Sequence, residues 1–64
     1  MTEVEVLKSE AMASERKASW RETGERLIHC QMNDDGSFTF RNTTEATRRG
    51  PVISEAQAEK FLTN

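Results

Sequence analysis

The one histidine and the one cysteine of this chain, His29 and Cys30, are adjacent. They are the residue types of a nucleophile and its base. They sit in an alternating run, however, and neighbours on a strand point to opposite faces. They cannot act on each other. Cys30 falls among the apolar positions, where a small buried thiol is expected. His29 falls on the opposite, solvent side. The stretch Asn33-Asp34-Asp35-Gly36-Ser37 resembles a fragment of a calcium loop. Nothing at the matching distance supplies the closing bidentate glutamate. The same residues are what a tight turn requires. The three glycines lie far apart, so there is no phosphate-cradling loop. No pair among the eleven dispersed carboxylates stands out for hydrolysis. The residues therefore point to no catalytic site, no metal and no cofactor, and an enzyme is not expected.

Two constellations remain. Arg41, Arg48 and Arg49 gather beyond Phe38 and Phe40. The two aromatics resemble the base-stacking pair of an RNA-binding sheet. Large apolar residues are scarce here, so the core is the expected place for both. Arg16, Lys17 and Arg21 are interleaved with Glu15 and Glu22, as on a solvated helix face. The net charge is −2. It is evenly spread: residues 1–32 carry five Lys/Arg and six Asp/Glu, and residues 33–64 carry four and five. That distribution offers nucleic acid no wide positive field. Trp20 is the only tryptophan. It is expected to pack as the main anchor of a helix on the sheet; the alternative is a half-exposed contact for a partner.

These side chains depend on one element, a β-hairpin over residues 26–42. Ile28, Cys30 and Met32 alternate with His29 and Gln31; Phe38 and Phe40 alternate with Thr39 and Arg41. A two-residue loop would split the apolar residues between faces. A three-residue loop, Asp34-Asp35-Gly36, pairs Met32 with Phe38, Cys30 with Phe40 and Ile28 with Asn42. All five apolar side chains then share one face. Asn33 suits the start of a type I turn, and Gly36 the left-handed residue that closes it.

The N-terminus has two readings. Val4 and Val6 alternate with glutamates, as in a short strand. Thr2 and Glu5 also fit a capping box, with Val4, Leu7 and Ala11 on one helical face. The favoured reading is a strand or frayed arm over residues 3–7, then a helix over 9–22 rich in Ala, Met, Glu, Arg and Lys. Gly24 would end that helix. Residues 43–50 have no strong period. Pro51-Val52-Ile53 is extended by preference and offers a brief third strand. Ser54 and Gln57 form a second capping box, with Ile53 as its staple, opening a helix over residues 55–62. Ala58, Phe61 and Leu62 would face the core.

The expected fold is α+β: a small antiparallel sheet built on the hairpin, packed with an N-terminal helix and a short C-terminal helix. At 64 residues it forms one small domain. Such a domain buries little surface for its size, and a single cysteine leaves no internal disulfide. Partner binding or self-association is the remaining source of burial. No apolar run approaches the ~18 residues of a membrane span. An acidic start and a free thiol suit a reducing cytoplasm. The sequon Asn42-Thr43-Thr44 is read as chance. The expected role is a non-enzymatic protein-binding or regulatory module, its partner another protein or a second copy of itself, using Trp20, His29, Gln31, Thr39, Arg41, Arg48 and Arg49. The alternative is nucleic-acid binding through Arg41, Arg48 and Arg49.

Overall fold

The computed structural model describes residues 2–24, 26–43 and 50–63. In order these form α1 (Glu3–Ala13), β1 (Ala18–Thr23), β2 (Arg26–Met32), β3 (Phe38–Thr43), β4 (Val52–Ile53) and α2 (Glu55–Thr63). The strands make one antiparallel sheet in sequence order, β1-β2-β3-β4. The α+β class, the hairpin and the C-terminal helix are as the residues imply, and an N-terminal helix is present, though not over the expected residues.

The hairpin has the expected register: Met32 opposite Phe38, Cys30 opposite Phe40 and Ile28 opposite Asn42. Its three-residue loop is closed by the Asn33 amide donating to the Ser37 carbonyl (2.7 Å) and the Gly36 amide to the Asn33 carbonyl (3.0 Å). Gly36 has φ +89°. That is the left-handed residue a type I turn with a following bulge demands.

The N-terminal half departs from the favoured reading. Residues 3–7 are helical; of the span 9–22 expected as helix, residues 9–13 belong to α1 and residues 18–22 to β1. The losing alternative was the correct one. The Thr2 hydroxyl accepts from the Glu5 amide (3.1 Å), and the Glu5 carboxylate accepts from the Thr2 amide (3.3 Å). Val4, Leu7 and Ala11 are buried along one face of α1. A helix over 9–22 would have had Trp20 as its only large anchor, and helix propensity is a weak force beside burial. Met12, near the end of α1, is 50% exposed. Gly24 ends no helix. It lies between β1 and β2 with φ +66°, where two-residue hairpin loops require positive φ.

At the other end the expectations fare better. Val52 and Ile53 form the brief extra strand, with Ile53 opposite Phe40. Ser54 caps α2: its hydroxyl accepts from the Gln57 amide and its own amide donates to the Gln57 side chain, both at 3.1 Å. Ala58 is buried and Leu62 packs on the core, but Phe61 is 37% exposed.

Both helices lie on one side of the sheet. The core there is Val4, Leu7, Ala11, Ile28, Cys30, Phe40 and Ala58, with Phe38, Ile53 and Leu62 packed against it. The Ser19 hydroxyl donates to the Leu7 carbonyl (2.6 Å), tying β1 to α1. Arg21 pairs with Glu3 and Glu10 of α1. Lys8 pairs with Glu55, and the Glu59 carboxylate accepts from the Val4 amide (3.0 Å), tying α1 to α2. No helix is long and apolar enough to cross a membrane, among the described residues.

Candidate functional site: the helix-free face of the sheet

Because helices cover one face only, every second side chain of the sheet points the other way. Directly opposed residues share a face, so the strand registers define rows across it. One row runs Trp20, His29, Arg41, Val52. The next runs Ala18, Gln31, Thr39. Four residues singled out from the hairpin alternation, His29, Gln31, Thr39 and Arg41, therefore stand together as expected.

Trp20 belongs to the same surface, but for a reason the sequence did not disclose. It was expected to anchor a helix; instead it lies on β1 opposite His29, and is 48% exposed. Its strand pairing comes from the β1–β2 hairpin, whose turn was read as a helix stop. Val52, not singled out earlier, ends the row with 60% exposure. Its place opposite Arg41 follows only from the β3–β4 pairing. Arg48 and Arg49 lie outside the described residues.

The row is held at several points. The Arg41 guanidinium donates to the Gly50 carbonyl (3.0 Å), which fixes its stem along the sheet. The Asn33 side-chain amide donates to the Thr39 hydroxyl (2.9 Å) and the Ser37 hydroxyl (3.0 Å). Asp35 accepts from the Ser37 hydroxyl (2.6 Å) and amide (3.0 Å). Those two bonds hold its carboxyl below the ordinary 3.8. Asp35 is thus occupied in the turn. His29 is half-buried, and so are Thr39 and Arg41. The face closes at one end, where Leu27 and Thr43 are buried.

Phe38 and Phe40 point away from this surface. Phe40 is buried and Phe38 packs against the helix-side core. The base-stacking pair considered from sequence is therefore part of the core. Cys30 is also buried there, and burial pushes its thiol above the usual 9.0. His29 and Cys30 stand on opposite faces, as alternation requires. No group of His, Cys, Asp or Glu among the described residues has an arrangement that could hold a metal ion.

The described residues thus define an α+β protein in which both helices lie on one face of the sheet. No family model, curated protein or solved structure matches the chain.

Proposed function

We propose that this chain is a non-enzymatic protein-binding or regulatory module that works through the helix-free sheet face. The observation that carries this reading is the row Trp20, His29, Arg41, Val52, in which the two end residues are 48% and 60% exposed. Tryptophan and arginine are the residues that most often dominate protein interfaces. An apolar residue at each end, with hydrogen-bonding groups between and beside them, is the mixture a partner surface matches. Gln31 and Thr39 extend the hydrogen-bonding part. The two-layer packing makes the surface rigid, which lowers the entropy lost on binding. The lone buried thiol suits a cytoplasmic setting.

Nucleic acid is the second reading, favoured by one observation: Trp20 and Arg41 flank His29 in one row of the sheet. An aromatic beside a cation is a stacking platform. It ranks lower because Phe38 and Phe40 are in the core and the net charge is −2.

The deciding experiment compares affinity capture from the native host by the wild type, by Trp20→Ser with Val52→Glu, and by Lys60→Ala on α2. Partners retained by the α2 variant and lost by the face variant support the protein-binding reading. Equal capture by all three sinks it. Fluorescence anisotropy with mixed oligonucleotides runs alongside. Submicromolar binding that weakens by ~0.7–0.9 log units per log unit of salt for each phosphate contact, and is reduced by Arg41→Ala, would replace it with the nucleic-acid reading.

A further inference from the structure

We infer that the edge strand β1 pairs with β1 of a second copy of this chain, antiparallel about a two-fold axis at Trp20, so that two four-stranded sheets become one. This deepens the protein-binding reading by naming a partner, and rests on it.

The backbone phase comes first. The Met32 amide donates to the Lys17 carbonyl (2.8 Å). Antiparallel ladders alternate, so the Lys17 carbonyl and the amides and carbonyls of Ser19, Arg21 and Thr23 face β2, while the Lys17 amide donates to the Ser14 carbonyl (3.1 Å). Ala18, Trp20 and Glu22 then direct theirs outward, and β1 is the terminal strand of the sheet. A six-residue edge of this kind is a template for another strand. Beside it, between β1 and the end of α1, lies an open groove of about 250 Å³, lined by Glu10, Ser14, Ala18, Ser19 and Trp20.

The register comes from charge. With Trp20 opposite Trp20 of the second copy, Ala18 meets Glu22 and Ser19 meets Arg21. Ala18 and Glu22 alone then supply four hydrogen bonds between the copies. Shifting the register one way sets Arg21 against Arg21. Like charges directly opposed are destabilising. Shifting it the other way sets Trp20 against Ala18 and parts the two indoles, so the central register is selected. It also places the two half-exposed indoles side by side on the helix-free face, where an aromatic cross-strand pair is favourable.

Space on the helix side agrees. α1 lies over both β1 and β2, so its axis runs inside the edge by about half a strand spacing. Strands are ~4.8 Å apart. The two α1 axes would then be ~10 Å apart, at the upper end of helix-packing distances. The copies approach without collision. An interface of one strand and one helix side is small, so dissociation on the order of 10–100 µM is expected.

Sedimentation equilibrium of the full chain from about 5 to 500 µM should show a concentration-dependent dimer. Glu22→Pro removes an outward amide and leaves the ladder to β2 intact; it should weaken the dimer at least tenfold. Register is tested by oxidation. Opposed residues of a bonded pair lie ~5.5 Å apart, within disulfide reach, so Trp20→Cys should cross-link to itself. Ala18→Cys should not, because two such residues would be ~14 Å apart along the strand. A strict monomer at every concentration, or cross-linking of Ala18→Cys to itself but not of Trp20→Cys, overturns the pairing. If such a monomer still captures a partner lost by Trp20→Ser with Val52→Glu, the protein-binding reading stands without the dimer.

Discussion

Gly36→Val tests the hairpin turn on which the sheet register depends. A Cβ at Gly36 would meet nothing within 4 Å, so crowding is not the issue. The issue is φ, which is +89°. An L-residue held in the left-handed region costs ~1–2 kcal/mol, and a β-branched one lies at the high end. A domain of this length is stable by roughly 3–10 kcal/mol, so the loss is a sizeable share. At ~4–8 °C per kcal/mol for small domains, the melting temperature should fall by roughly 4–16 °C. Gly36→Asn is the control, because asparagine tolerates left-handed geometry; it should lose only a few tenths of that energy. Urea titration followed by circular dichroism gives both numbers, with an unchanged slope showing that the folded and unfolded states are otherwise alike. An unchanged midpoint in Gly36→Val would refute the turn assignment. Equal losses in Val and Asn variants would show that the cost is not one of φ.

Gly50→Ala should fail for the opposite reason: its Cβ would run into the Asn42 carbonyl oxygen, where β3 meets the segment leading into β4. Relief requires a backbone shift of ~1–3 kcal/mol, and a melting scan showing no loss would contradict that close approach. Cys30 should resist thiol reagents at neutral pH until the chain unfolds, because it is buried and its thiol is pushed above 9.0. Its folded pKa is raised, so its contribution to stability is fully present below the unfolded pKa and is lost as pH rises through the folded one. A stability profile above pH 9 that coincides with that of Cys30→Ala would count against this.

Where the governing interactions are local, the sequence was sufficient. The Asn33-to-Ser37 turn chooses its own length because Asn33 and Gly36 suit only certain backbone angles. With that length set, alternation decides that His29, Gln31, Thr39 and Arg41 share one face and that Ile28, Cys30 and Phe40 share the other. The Ser54 cap of α2 is equally local, spanning four residues. The N-terminal half is different. Residues 9–22 favour helix by composition, yet their apolar stripe is thin. The chain instead buries Val4, Leu7 and Ala11 on the sheet and gives residues 18–23 to a strand paired with β2. That choice rests on contacts between residues far apart in the chain, such as Ser19 with Leu7 and Arg21 with Glu3. No window of the sequence contains both partners of such a bargain with its competing alternative. Trp20 joined the open face for the same reason, and Val52 followed from the β3–β4 pairing. The sequence by itself determined the hairpin, its two faces and the C-terminal cap, because short-range backbone geometry decides them. Only the tertiary structure decided which N-terminal residues became helix and which became edge strand, because there burial outweighed local propensity.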